Sequence, residues 1–227
     1  MGYALNHTGS PLAVLRDTES FLAQIKRSEG LTEKAVSLLI AGFVCFAIYG
    51  AIMGAYHSPL QALSSALKFP LLFLITALIC LPTLYVLSLV LGQKETVGQY
   101  LVVLLGTLAS TGILLVGFAP ITAFFLMTSS HYQFFKLLNV AVVGISGIIG
   151  ARFFLRAMRT LWQENREARD NVLLLWIVLY AFVGSQLGWT LRPFFGAPDM
   201  PFEPVREVQG NFYINIIKSA REVLGFD

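Results

Sequence analysis

Charged residues are scarce in this chain. They make up 13% of its 227 residues, whereas hydrophobic residues make up 56%, and the mean hydropathy is +0.70. A typical soluble domain is about 25% charged and about 45–50% apolar. Too few polar side chains remain to cover the surface of a soluble enzyme, and the high apolar content excludes a disordered chain. The composition therefore indicates an integral membrane protein.

Cysteine and histidine are also rare. Cys45 and Cys80 both lie in apolar runs, which excludes a disulfide framework and a metal-binding spacing. His7, His57 and His131 are far apart and form no HxxxH or HExxH pair. We therefore expect no metal and no other cofactor. The net charge of +3 is typical of membrane topology signals and does not indicate nucleic-acid binding.

Acidic residues are absent from the long apolar runs. A proton-coupled pump normally needs a carboxylate or a histidine inside the membrane, so this mechanism loses support. The sequence also lacks the GxSxG, HExxH, DxD and Walker A motifs. We therefore expect a protein that is not an enzyme.

The charges divide the chain into segments long enough to cross a bilayer. Five runs contain no Asp, Glu, Lys or Arg: 35–67, 69–93, 96–135, 137–151 and 171–191. A transmembrane helix needs about 20 mainly apolar residues to cross about 30 Å of hydrocarbon. The runs predict an all-α fold, a polytopic membrane helix bundle over 35–191 with about five transmembrane helices. These are predicted at 35–56, 69–92, 100–127, 134–156 and 172–191; four or six helices remain open, because the fourth run is short.

Two polar segments flank the predicted bundle. Residues 1–34 form an N-terminal segment with a short amphipathic helix over 18–29, for which Thr18 is the expected N-cap. The apolar face of this helix is expected to lie in the lipid headgroup region. The tail, 192–227, opens with four prolines that exclude a helix there, and it regains amphipathic helical spacing over 211–224.

Basic residues set the expected orientation. Ten Lys and Arg residues lie in the N-terminal segment and in the connections on its side of the membrane, against Lys68 and Lys136 in the connections on the other side. Short loops rich in Lys and Arg stay in the cytoplasm. We therefore expect a cytoplasmic N-terminus and an external C-terminus.

Small residues recur at helical spacing within the predicted spans. Two GxxxG patterns, a glycine upstream of the first and a run at every third position give the set Gly42, Gly50, Gly54, Gly144, Gly147, Gly150, Gly184 and Gly188. Glycine lets two helix backbones approach closely and gain contacts that lipid does not offer. These residues are candidates for helix packing, either within the chain's own bundle or at a seam with a partner or a second copy.

A second set of candidates lies at the membrane surfaces. The candidates for contacts with lipid headgroups or a partner are Arg152, Arg156, Arg159, Trp162, Trp189 and Arg192. The spacing of the first three, i, i+4 and i+7, places them on one face of a helical extension predicted over 152–170. Basic residues of this kind attract anionic lipids, and tryptophan is typical of the membrane interface.

Two prolines and two amides stand out within the spans. Pro82 and Pro120 are expected to kink their helices, which either fixes the shape of the bundle or opens a cavity for a substrate. Asn139 and Gln186 are costly to leave unpaired in lipid. We expect them to make hydrogen bonds between helices or to line a polar path.

The layout of residues 20–192 resembles that of the Yip1-like group of small five-span membrane proteins. These have a cytosolic N-terminal segment, short loops and an external C-terminus. The stretch from Gly188 to Pro198 is also similar to one in small bacterial membrane proteins. The resemblance implies a bacterial inner membrane location and a non-enzymatic role in membrane organisation or trafficking. It supplies no catalytic residues.

From these features we expect a scaffold or accessory subunit of a membrane protein assembly, which acts through helix–helix and lipid contacts. Its expected partners are membrane lipids and either another membrane protein or further copies of the chain. The alternative is a transporter or channel for a small solute or a lipid. A fully packed bundle would favour the first hypothesis, and a polar cavity at mid-membrane would favour the second.

Overall fold

The computed structural model describes residues 17–128, 132–162 and 166–196, and six residues of the tail, which are 202, 203, 214, 216, 217 and 221. The side chains of 166–168 and most of the predicted tail helix over 211–224 lie outside this description. The helices are α1 (Thr18–Lys26), α2 (Leu31–Gly54), α3 (Pro59–Val90), α4 (Val97–Thr128), α5 (Tyr132–Leu161) and α6 (Arg166–Thr190). The described ranges contain no strand, and the prediction of an all-α fold is confirmed.

Five of these helices, α2 to α6, are long and apolar enough to cross a membrane, with mean hydropathies of 1.8 to 2.3 in their most apolar windows. The chain is therefore an integral membrane protein with a polytopic helical bundle. A helix of 32 residues, such as α3 or α4, rises about 48 Å at 1.5 Å per residue. This exceeds a hydrocarbon core of about 30 Å, so both helices tilt or extend beyond it.

The bundle has two ends, because the five spans alternate in direction. The α1 end holds α1, the α3–α4 connection and the α5–α6 connection. The other end holds the α2–α3 connection and residues 192–196, which follow α6 and fold back on the bundle. We call residues 192–196 the strap, and this end of the bundle the strap end.

All five spans begin before their predicted first residues, and α3 differs most, since it starts at Pro59 and not at 69. In α3 and α4, capping residues and not charges set the first turn. α3 starts after Ser58, whose hydroxyl accepts a hydrogen bond from the backbone N–H of Gln61 at 3.2 Å, and Lys68 lies inside the helix. α4 starts after a capping box. There the side-chain oxygen of Gln99 accepts from the backbone N–H of Thr96 at 2.8 Å.

The helical extension predicted over 152–170 is wrong in its second half, because α5 stops and α6 begins within that range. A guanidinium N–H of Arg169 donates to the backbone carbonyl of Trp162 at 3.0 Å, and so satisfies a carbonyl at the end of α5. Across the same connection, Arg159 pairs with Asp170 at 3.0 Å. These contacts from α6 hold the end of α5 where the chain turns.

The helices α2, α3 and α4 form the centre of the bundle. α2 packs along both α3 and α4, while α5 packs on α4 and α6 packs on α3. Glycine allows the closest of these contacts. A Cβ placed on Gly50 of α2 would lie 2.5 Å from the Ser65 carbonyl oxygen of α3, and one on Gly112 of α4 would lie 2.9 Å from the Cβ of Cys45. The backbones therefore approach as closely as their sequences permit.

The short helix α1 is docked on the bundle. Its N-cap is Asp17 and not the predicted Thr18, since the Asp17 carboxylate accepts from a backbone N–H in the first turn. Its apolar face is buried and consists of Phe21, Leu22 and Ile25. The side-chain amide of Gln99 on α4 donates to the carbonyl of Ile25 at 2.9 Å. The apolar face of α1 therefore contacts protein, whereas the sequence led us to expect contact with lipid headgroups.

Candidate functional site: a lateral cleft between α5 and α6

A cleft separates α5 from α6. The two helices meet near the α1 end, where the rings of Phe154 and Trp176 stack with centroids 4.7 Å apart. Beyond this stack, two adjoining cavities of about 360 Å³ and 400 Å³ lie between the helices. Both cavities are lined by Phe73, Val143, Gly144, Tyr180 and Ala181. They therefore form one continuous space, the lateral cleft, which opens sideways between two membrane-spanning helices.

The lateral cleft is about 18 Å long. Its α5 wall runs from Asn139 to Ala151 and its α6 wall from Trp176 to Gly188, and twelve helical steps rise about 18 Å. The Phe154–Trp176 stack bounds it at the α1 end, and the strap bounds it at the strap end. The cleft thus extends over more than half of a hydrocarbon core of about 30 Å.

The floor of the cleft comes from α3 and α4 and is largely apolar. Its hydroxyl groups belong to Thr76, Thr107 and Thr111, and each donates to the carbonyl four residues earlier in its own helix, at 2.7 to 2.9 Å. Among the described residues, no charged side chain lines either cavity. This surface is suited to hydrocarbon and offers a polar solute few hydrogen bonds.

The polar residue nearest the strap end of the cleft, Asn139, belongs to a buried network. Its side-chain oxygen accepts from the hydroxyl of Tyr49 at 2.9 Å, and its amide donates to the carbonyl of Phe135 at 2.8 Å. The Tyr49 hydroxyl also lies 3.2 Å from that of Thr122. This network joins α2, α4 and α5, as expected for a buried amide with satisfied hydrogen bonds.

Three polar side chains of α3 hold the strap. The amide of Gln61 donates to the carbonyl of Pro193 at 2.8 Å, and the ammonium group of Lys68 lies 3.4 Å from the same oxygen. The hydroxyl of Ser65 donates to the carbonyl of Phe194 at 2.6 Å. Ser65 and Lys68 have the SxxK spacing of some hydrolases, but here both donate to the strap, and Ser65 is fully buried. Their geometry is that of an anchor.

The strap is also held by packing. Phe194 and Phe195 meet aromatic rings of α3 and α5 edge-on, with centroids 6.1 Å apart in both pairs. Gly196 has φ +65° and lies so close to His57 that a Cβ would meet the imidazole at 2.5 Å. Only glycine combines this backbone conformation with this approach. The two phenylalanines therefore form a fixed end wall of the cleft.

The predicted packing glycines divide into three groups. Gly42, Gly50, Gly54 and Gly150 pack against neighbouring helices of the same chain. Gly184 and Gly188 lie in the α6 wall of the cleft, where a Cβ would make ordinary contacts with α3 at 3.5 to 3.7 Å. Gly144 and Gly147 line the cleft from α5, and a Cβ on either would have nothing within 4 Å. No described residue fills the space beside these two glycines.

Two of the three predicted headgroup arginines make ion pairs within the chain. Arg156 pairs with Glu19 of α1 at 3.0 Å, and Arg159 pairs with Asp170 of α6 at 3.0 Å. Arg152 is exposed on the same helix. The basic face of α5 thus links α1 and α6 to the bundle, through surface pairs that typically contribute about 0–1 kcal/mol each.

The predicted surface role of Trp162 is wrong. Its side chain is fully buried, and its indole N–H donates to the hydroxyl of Tyr100 at 2.9 Å. The hydrophobic ring fills the space between α4 and α5, which a sequence cannot distinguish from a place at the interface. At the strap end, by contrast, the guanidinium of Arg192 lies over the ring of Trp189 at 3.9 Å, and both are partly exposed.

Of the residues that the sequence suggested for a cavity, Asn139 lines the cleft, whereas Pro82, Pro120 and Gln186 do not. α3 and α4 continue through Pro82 and Pro120, and both prolines are exposed on the outside of the bundle. Gln186 is also exposed and does not line the cleft. Sequence reasoning missed Tyr180 and Phe73, which lie at the middle of the cleft. In the sequence, each of these two residues is an aromatic residue within a predicted span. Such residues also occur in an ordinary helix-bundle core, so the pattern does not indicate a cleft.

Comparison with protein-family models, with curated proteins and with solved structures gives no match to this chain. These comparisons do not bear on the Yip1-like resemblance, which stays a prediction.

Proposed function

We propose that this integral membrane protein binds a membrane lipid, whose hydrocarbon chains lie in the lateral cleft. The observation that carries the proposal is an apolar cleft about 18 Å long, open between two transmembrane helices. A lipid chain reaches about 15 Å, half of a hydrocarbon core of about 30 Å. The length of the cleft therefore suits a chain from one leaflet.

The length of the cleft also favours lipid chains over a whole helix. A transmembrane helix crosses the full hydrocarbon core of about 30 Å. The cleft is about 18 Å long, between the Phe154–Trp176 stack and the strap. A partner helix would therefore extend beyond the cleft, whereas a lipid chain of about 15 Å fits within its length.

A scaffold or accessory subunit is the second candidate function. The observation in its favour is that Gly144 and Gly147 face open space along α5, and exposed small residues of this kind are common where transmembrane helices associate. Transport of a polar solute has less support, because the floor hydroxyls of the cleft are already bonded within their helices.

The proposal can be tested by replacing two glycines that line the cleft with leucine, whose side chains would occupy the space. A Gly144→Leu/Gly147→Leu variant places side chains in open space, so we expect it to fold and to lose bound lipid. Gly117→Leu is the matched control, because Gly117 is an exposed glycine of α4 with nothing within 4 Å and does not line the cleft. Native mass spectrometry after gentle detergent extraction measures the lipid retained per protein.

Equal lipid retention in wild type, the double variant and the control would contradict lipid binding in the cleft. Affinity purification of the same three proteins from their native membrane tests the second candidate. Loss of a stoichiometric protein partner from the double variant alone would favour the scaffold.

We infer that the α1 end faces the cytoplasm, in a bacterial inner membrane. The support is the excess of Lys and Arg in the N-terminal segment and in the connections on its side. A reporter fused after Asp227 should then be active only outside the cytoplasm. Activity in the cytoplasm would contradict this orientation.

A further inference from the structure

We propose that Lys68 and Arg192 form a site for the phosphate of an anionic phospholipid, at the strap end of the lateral cleft. This inference rests on the proposed function, because the chains of the same lipid would lie in the cleft. It adds the headgroup chemistry and the leaflet: the lipid comes from the leaflet on the strap side, with its chains directed towards the Phe154–Trp176 stack.

Both cations lie next to residues that line the cleft. Lys68 directly precedes Phe69, a cleft residue, and its ammonium group is 3.4 Å from the carbonyl of Pro193. Arg192 directly precedes Pro193, and Phe194 lines the cleft. Because Lys68 contacts the carbonyl of Pro193 and Arg192 is the residue before Pro193, both cations lie at the strap, which forms the end wall of the cleft.

Neighbouring residues hold Arg192 in a fixed position, which favours anion binding. The ring of Trp189 supports the guanidinium of Arg192 at 3.9 Å, and tryptophan prefers the headgroup level. Hydrogen bonds from Gln61 and Ser65 fix the strap that carries Arg192. A fixed cation loses little conformational freedom when it binds a ligand, which favours selectivity for that ligand.

The distribution of charge agrees with this assignment. Among the residues that the structure describes in the bundle, the carboxylates all lie at the α1 end: Asp17, Glu19, Glu29, Glu33, Glu95 and Asp170. The tail adds Glu203. The bundle contributes Lys68, Lys136 and Arg192 to the strap end, and cations near a membrane surface attract lipid phosphates.

The experiment uses the full chain in nanodiscs that contain equal amounts of phosphatidylcholine and phosphatidylglycerol. Native mass spectrometry reads which lipids stay bound after release from the disc. We expect wild type to retain phosphatidylglycerol in preference, and a Lys68→Gln/Arg192→Gln variant to retain lipid without this preference. Each lost cation should reduce the preference about fivefold.

Lys136→Gln is the matched control, because Lys136 is a cation at the same end of the bundle that does not line the cleft. It should keep the preference. An unchanged preference in the Lys68→Gln/Arg192→Gln variant, or an equal loss in Lys136→Gln, overturns the inference.

The two proposals fail in different ways. If wild type retains lipids without a preference, and the Gly144→Leu/Gly147→Leu variant loses them, the headgroup site is wrong and the cleft proposal stands. If wild type retains no lipid, both proposals are wrong.

Discussion

Replacing Gly50 by alanine should destabilise the bundle, although it adds only one methyl group. The new Cβ would lie 2.5 Å from the Ser65 carbonyl oxygen and 2.9 Å from the Cβ of Phe69, and ordinary contacts begin at 3.4 Å. The obstacle is largely backbone, so no side-chain rotation relieves it. The helices α2 and α3 must therefore separate by about 0.9 Å at this point.

The energetic cost follows from that separation. A gap of about 0.5–1 Å loses about a quarter to a half of the dispersion energy of each contact across it. Overpacked interiors typically lose about 1–3 kcal/mol. For a chain of this size, 1 kcal/mol lowers the unfolding midpoint by about 2–4 °C, so we expect a decrease of about 2–12 °C.

The assay is thermal unfolding of the purified protein in detergent. Gly117→Ala is the control, because Gly117 is also a helical glycine but has nothing within 4 Å of its Cβ position. Alanine is the better helix former by about 1 kcal/mol, so this control should unfold at the wild-type temperature or slightly above it. A Gly50→Ala protein as stable as Gly117→Ala would refute the close α2–α3 contact.

Three further predictions address the polar contacts. Tyr49→Phe should lower the free energy of unfolding by about 1 kcal/mol, because it leaves the side-chain oxygen of Asn139 without its donor; chemical unfolding in mixed micelles measures the change. Gln61→Leu should speed hydrogen exchange in the strap and leave α1 unchanged, since it removes the 2.8 Å bond to the strap; equal exchange in both proteins would contradict the anchor. Gln99→Leu should loosen α1, as seen by proteolysis near its end, whereas Arg156→Ala should have little effect, because Gln99 is buried and the Arg156 pair is exposed.

Much of the fold could be predicted from the sequence. The charge-free runs gave five spans because charges are excluded from a bilayer core, and the physical reason holds for any chain in lipid. The predicted start of α3 was wrong because a charged residue was taken as the end of an apolar run. Lys68 looked like the boundary of a span, yet Ser58 and Pro59 are a stronger start signal. For α1, both Asp17 and Thr18 are suitable N-caps, and the sequence alone does not decide between them.

The lateral cleft could not be predicted in this way. Eight glycines had similar local patterns, and their roles depend on what lies opposite each one. Gly150 meets Thr111 of α4, whereas Gly144 and Gly147, on the same helix, meet open space. That difference is set by the packing of α5 on α4 and of α6 on α3. The difference between these glycines therefore depends on tertiary packing, and the spacing of residues in the sequence does not reveal it.

The chemistry of the cleft also determines where selectivity must lie. In water, an apolar cleft attracts hydrocarbon through the hydrophobic effect, but in a bilayer the lipid chains are already in an apolar solvent. The floor hydroxyls of Thr76, Thr107 and Thr111 are bonded within their helices, so the chains gain little beyond shape and dispersion contacts. Under the proposed function, discrimination between lipids therefore has to come from the polar end of the molecule. In the headgroup site that we propose, this selectivity comes from Lys68, which contacts the strap, and from Arg192, which belongs to it.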